Sequence, residues 1–198
     1  MRDNKVHLIK FSDLTTDQIN EIAQIHKTVM SFSVNAQAGT KHLMSLYRTL
    51  QSSGLTSGFA AIDNGKIIGC ALGTSDLGQV NSFLTREKLS ILVKCMNPIF
   101  LIANIKNIYD AWQISTLAKK FKLKGNYILV WFIDEQFSGK GYATEMLSRL
   151  EIELFSINKS NIYVDVRKSS IQALNAYNKL DYFEVARTRN SVLLRKTT

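Results

Sequence analysis

The stretch that most narrows the folds open to this chain is YILVWFI, Tyr127 to Ile133, followed at once by DEQFSGKGYATEMLSRLEIELF, Asp134 to Phe155. An apolar run bounded by a turn reads as a strand, and the spacing of Met146, Leu147 and Leu150 reads as a helix. Between them Gly139 and Gly141 allow backbone torsions that other residues resist. With no side chain in the way, backbone N–H groups can face an anion at the positive end of the helix that follows. Lys140 adds a positive charge. Three readings of this turn stand open: a plain connection, a dinucleotide site, or a cradle for another phosphate-bearing cofactor. A dinucleotide fingerprint needs G-x-G-x-x-G, and this run is G-K-G-Y-A-T, with Thr144 in place of the third glycine. A Walker loop, G-x-x-x-x-G-K followed by Ser or Thr, is not present.

The rest of the chain supplies more strands and helices in an interleaved order. KVHLIKF, Lys5 to Phe11, alternates as a strand. Thr15 with Gln18 three residues on resembles a capping box for a helix whose apolar stripe is Ile19, Ile22, Ile25 and Val29. A loop from Ser31 to Gly39 leads to a second helix, read as capped by Thr40. SGFAAID and KIIGCALG flank Asn64-Gly65, the strongest short hairpin signal a sequence carries. After a helical stretch come the central strand and its helix, then a strand NIYVDVR, a helix SIQALNAYNKL, and a closing strand pair at FEVARTR and SVLLRK. The expected fold is α/β (α+β): one domain over residues 1–198, a mixed central sheet flanked by helices, and a helical insert between the third and fourth strands.

That insert, residues 75–125, is basic and free of strand signals. Arg86, Lys88, Lys94, Lys106, Lys119, Lys120, Lys122 and Lys124 stand against only Asp76, Glu87 and Asp110. The whole chain carries 25 Lys and Arg against 16 Asp and Glu, a net charge of +9, which favours polyanions without choosing among them. Its apolar run from Leu89 to Ile105 is broken by Lys94, Asn97 and Pro98 and is short for a membrane span of about 20 residues. It reads as two helices meeting at Pro98. Cys70 and Cys95, the only cysteines, suit neither a metal site nor a disulfide framework. With no signal-peptide core in MRDNKVHLIKF, a cytoplasmic protein is expected.

Two segments together carry a resemblance to a known family. SGKGYATEMLSRLE is similar to the loop and helix of the GNAT N-acetyltransferases, where a Gln or Arg precedes a Gly and then a second small residue. Gly141 and Ala143 take the two small positions, and Ser138 stands where the Gln or Arg is usual. A shifted register through Gln136, Gly139 and Gly141 matches the letters but fits the helix less well. Downstream, the family reads N-x-x-A-x-x-x-Y-x-K-x-G-F after a strand. Here Ser170, Ala173, Tyr177, Lys179, Asp181 and Tyr182 occupy those positions, with Ser170 for the Asn, Asp181 for the Gly and Tyr182 for the Phe.

The resemblance implies an acetyl-CoA-dependent N-acetyltransferase with no metal. It implies that Ser138, Gly139, Lys140, Gly141, Tyr142, Ala143 and Thr144 hold the coenzyme A pyrophosphate. Backbone groups at Trp131, Phe132 and Ile133 would meet the pantetheine, and Ser170 and Ala173 would line the cofactor, with Lys168 a further contact. Tyr177 is the candidate acid for the leaving thiolate, since a phenol keeps its proton at neutral pH. For the base, Asp134, Glu135 and Asp165 remain open, and His7, His26 and His42 read as structural. The acceptor is expected to be a primary amine of a small molecule, a nucleotide-linked amino sugar if the Lys119 to Lys124 cluster attracts phosphate. Competing readings are acetylation of a protein or peptide amine, and a non-catalytic module bound to coenzyme A or a membrane surface through the insert. No nucleic-acid partner and no transmembrane segment are expected, and the assembly is read as a monomer or homodimer.

Overall fold

The chain's structure, a computed structural model, describes residues 7–120 and 125–197, with the side chains of residues 118–120 outside the description. Seven strands form one sheet in the order β1-β2-β3-β4-β5-β7-β6. They are β1 (His7–Lys10), β2 (Ser57–Asp63), β3 (Lys66–Thr74), β4 (Asn126–Ile133), β5 (Ile162–Arg167), β6 (Phe183–Arg187) and β7 (Ser191–Lys196). Every neighbouring pair is antiparallel except β4 with β5.

The local signals account for much of this. In α1 (Thr16–Val29) the Thr15 hydroxyl accepts from the Gln18 amide at 3.3 Å, and the Gln18 side chain accepts from the Thr15 amide at 2.9 Å. Ile19, Ile22 and Ala23 turn inward. Asn64 (φ 47) and Gly65 (φ 78) close the β2–β3 hairpin as a two-residue turn with both torsions positive. The expected loop at Ser31 to Gly39 contains a further short helix, α2 (Val34–Gln37), whose Ala36 amide donates to Ser33 Oγ. Thr40 is the first residue of α3 (Thr40–Ser53), and Gly39 holds the cap position.

The insert holds three helices: α4 (Leu77–Phe83), α5 (Thr85–Cys95) and α6 (Pro98–Lys120). The break falls at Pro98 as expected. Asn97 Oδ1 accepts from the amides of Ile99 and Phe100, and proline opens the helix where no amide bond is lost. Lys122 and Lys124 fall outside the described residues, as do the side chains of Lys119 and Lys120.

Two cores lie on opposite faces of the sheet. On one face, α7 (Tyr142–Ile157) and α8 (Ile171–Lys179) cover Ile128, Ile162, Val164 and Val166. On the other, α1 and α3 cover Ala60, Cys70, Leu72, Val130 and Phe132. A bulge decides which β4 side chain goes where. Leu72 pairs with Val130 and Gly73 with Ile128, so Leu129 is an extra residue on β4. Ile128, Trp131 and Ile133 therefore join the α7 and α8 face, while Val130 and Phe132 join the other.

Candidate active site

The sheet opens where β4 leaves β5. These strands pair only at Asn126–Ile162 and Tyr127–Tyr163. Beyond Tyr127, β4 stays bonded to β3 as far as Gly69–Ile133, and β5 stays bonded to β7 through Arg167–Ser191. Their facing edges therefore carry backbone groups with no partner strand. Unpaired edges are costly when nothing satisfies them, so this cleft is suited to a ligand with amides of its own.

Tyr177 packs against β4 on the α7 and α8 face of the sheet. Its ring sits edge-on to Trp131, with centroids 4.9 Å apart, and edge-on to Tyr182 at 5.0 Å. The residue is buried, and among the described residues its hydroxyl has no protein hydrogen bond. Burial raises its pKa well above the usual phenol value, and the charges of Asp165 and Glu151 add to the shift. Trp131 is fixed in turn, because its indole N–H donates to the Ala143 carbonyl at 2.9 Å. That bond ties β4 to the first turn of α7.

Asp165 lies on the opposite face of the sheet, on β5. It alternates with Val164 and Val166, which pack beneath α7, and it accepts the Tyr127 hydroxyl at 2.7 Å. It is the exposed residue of its strand, yet protein groups surround its carboxyl. Burial is the main cause that lifts its pKa, and Asp110 adds to it, while the Tyr127 bond and Arg167 oppose it. Tyr177 and Asp165 thus feel one another across the opening.

The phosphate turn lies at the far end of β4. Asp134 Oδ1 accepts the Gln136 amide at 3.0 Å, which makes Asp134 a turn residue. Gly139 (φ 77) and Gly141 (φ 84) are both left-handed, and an added Cβ at either would meet nothing within 4 Å. The glycines therefore serve backbone torsion, and the space in front of them is open. Gly141 precedes α7 with no side-chain cap, so the first amides of that helix keep their donors. Ser138, Gly139, Lys140, Gly141 and Thr144 are exposed around them. This arrangement fits a pyrophosphate on the helix end.

Other expected residues divide by face. Ile133, Tyr142, Ala143, Ala173 and Tyr177 belong to the α7 and α8 side. Of these, Tyr142 is a core residue, buried at 8% exposure, so only its backbone can face a ligand. Phe132 packs beneath α1, where its ring meets His26. Ser170 stands at the start of α8. Lys168 is occupied elsewhere, donating to the Thr188 carbonyl at 2.7 Å. His26 lies between the Tyr47 hydroxyl at 2.6 Å and Ser33 Oγ at 3.3 Å, and His42 meets Asn35 at 3.1 Å. These two histidines are structural.

Sequence reasoning missed the wall that α6 builds beside Asp165. Arg167 donates to Asn107 Oδ1 at 2.8 Å and lies over the Phe32 ring. Asn107 donates to the Phe32 carbonyl, and Asp110 accepts the hydroxyls of Thr188 at 2.6 Å and Ser191 at 2.5 Å. A signal does exist: Asn104, Asn107 and Asp110 recur every three residues in the apolar first half of α6, which puts them on one face. Among the described residues, no cluster of His, Cys, Asp and Glu could hold a metal ion.

A mixed sheet that parts beside an uncapped helix end is the architecture of an acyl-coenzyme A transferase fold, and comparison with known proteins agrees. The sequence model of the acetyltransferase (GNAT) family matches residues 20–182, and the chain belongs to that family. A protein of Pyrococcus horikoshii OT3 has a similar structure, with a TM-score of 0.66, 15% identity, and 98% of this chain and 99% of that one covered. The paia N-acetyltransferase from Thermoplasma acidophilum, solved in complex with coenzyme A, gives 0.64 at 7% identity over the same shares. An N-acetyltransferase from Staphylococcus aureus Mu50 gives 0.60 at 12% identity, again over 98% and 99%. At such identities the likeness is one of fold. No curated protein matched.

Proposed function

We propose that the protein transfers an acetyl group from acetyl-CoA to a primary amine of a small molecule. The observation that carries this reading is the parting of β4 and β5, with Tyr177 on one face of the opening and Asp165 on the other. The amides at the start of α7 take the pyrophosphate, and the open β4 edge takes the pantetheine and polarises the thioester carbonyl. Asp165, whose pKa is raised by burial, accepts a proton from the amine. The amine nitrogen bonds to the thioester carbon and the carbon–sulfur bond breaks. Tyr177 holds its proton firmly, so it donates a hydrogen bond to the departing thiolate. The released thiolate takes a proton from solvent, and Asp165 returns the amine's proton to solvent. Positioning of the two reactants supplies much of the remaining rate.

Carboxylates beside the opening suit an ammonium-bearing acceptor in an otherwise basic chain. A nucleotide-linked amino sugar is the finer form of the reading. Its sequence support, Lys119 to Lys124, lies outside the described side chains.

Thiol release from acetyl-CoA, measured across amino-sugar nucleotides, simple amines and peptide amines, tests the reading. Tyr177→Phe is expected to lower kcat by about 10²-fold with acetyl-CoA affinity kept. Asp165→Asn should flatten the acidic limb of the pH–rate profile. Unchanged turnover in Tyr177→Phe would remove that residue's role, and no thiol release with any amine would remove the small-molecule reading.

A further inference from the structure

The polarity of α6 is inverted. Its polar stripe faces the protein: Asn104 is fully buried, Asp110 is 4% exposed, and Asn107 bonds inward. Its apolar residues face out, continuous with those of α5. Leu92, Val93, Met96, Ile99, Ile102 and Trp112 are between 61% and 81% exposed. Monomeric proteins seldom leave a contiguous apolar face of this kind uncovered.

The charges of this face indicate its occupant. From Leu77 to Leu117 the only acidic residues are Glu87 and Asp110, and both are buried. Arg86, Lys88 and Lys106 are exposed, and Lys94 is half-buried. The face is therefore apolar and cationic, with no exposed carboxylate in the segment. Tyr109 stacks on Trp112 with centroids 5.7 Å apart, and both rings are more than half exposed. Aromatic rings beside basic side chains suit the boundary between headgroups and acyl chains. No described helix is long and apolar enough to cross a membrane, so the contact lies along the surface. A two-fold pairing of this face with itself would set its cations together with no carboxylate to answer them.

We infer that the outward face of α5 and α6 docks on an anionic phospholipid surface. Lys88 and Lys106 meet the headgroups, and Met96, Ile99 and Ile102 enter the acyl boundary. This holds whether or not the acceptor reading above is correct, because it uses none of the cleft residues.

Flotation of the full chain with phosphatidylcholine vesicles, with and without phosphatidylglycerol, tests the inference. The protein should float with the anionic vesicles alone, and Trp112 emission should shift to the blue. The double variant Ile99→Glu, Ile102→Glu should lower the partition coefficient by about tenfold or more, with the circular dichroism spectrum kept. Trp112→Phe identifies which of the two tryptophans reports, so the shift stands as evidence even if the double variant fails to fold. Absence of binding at low salt would overturn the proposal. So would binding that the double variant leaves intact, which is adsorption by net charge alone. A dimer by light scattering that the double variant splits would assign the face to a second copy.

Discussion

His26 is buried between two hydroxyls and against the Phe132 ring, and this enclosure lowers its pKa from 6.5 to about 4. The unfolded chain then binds more protons than the folded one between those values. The stability that His26 contributes is full above pH 6.5 and is lost as pH falls toward 4. The shift corresponds to about 3 kcal/mol. Urea unfolding at pH 7 and pH 4.5 should show most of that difference, and His26→Gln should remove it. A single residue also shows why the family pattern admits departures here. Asp181 stands where glycine is usual and takes φ 62. The position demands a left-handed backbone, which Asp tolerates better than most residues. The sequence could display that substitution, but the torsion behind it belongs to the turn. Asp165 was harder to read. Which face it takes depends on how β5 is set against its neighbours, and an apolar strand such as YILVWFI has no alternation in which the Leu129 bulge would show.

Elements with local chemistry are legible in the amino-acid sequence alone: the capping box of α1, the hairpin at Asn64-Gly65, and the helix break at Pro98. Each depends on contacts within a few residues. The short helix α2 escapes, although Ser33 supplies its cap, because four residues give no periodicity. The phosphate turn belongs at this scale too. Gly141 is left-handed with open space before it, so Gly141→Ala strains the backbone without a clash. The strain should cost about 1 kcal/mol and turn the first α7 amides away from the pyrophosphate. Acetyl-CoA affinity measured by calorimetry should fall by about tenfold. Ser138→Arg, which restores the usual side chain, should strengthen it. Equal affinity in wild type and Gly141→Ala would place the pyrophosphate elsewhere.

The whole molecule could not be read from sequence in one respect: where the sheet opens. Strand order follows from recurring local patterns, but the loss of pairing after two residues is a long-range event. Its energetic trace is measurable. A ligand that binds only the folded chain stabilises it by about 2.7 kcal/mol at one hundred times its Kd. For a chain of this size, acetyl-CoA at that excess should raise Tm by roughly 5–10 °C. Desulfo-coenzyme A, which keeps the pyrophosphate and pantetheine, should give a similar rise. No shift with either would mean that the cleft is not the cofactor site.

The two-rung join between β4 and β5 has a structural consequence. It divides the sheet into two groups of strands, β1 to β4 and β5 to β7, that share two residue pairs and one core beneath α7. Helix α6 lies beside the parted strands, with Asn107 donating to the Phe32 carbonyl and accepting from Arg167 of β5, and Asp110 holding Thr188 and Ser191. Beyond the two paired rungs, side-chain bonds to one helix stand in for the sheet hydrogen bonds that the parted strands no longer share.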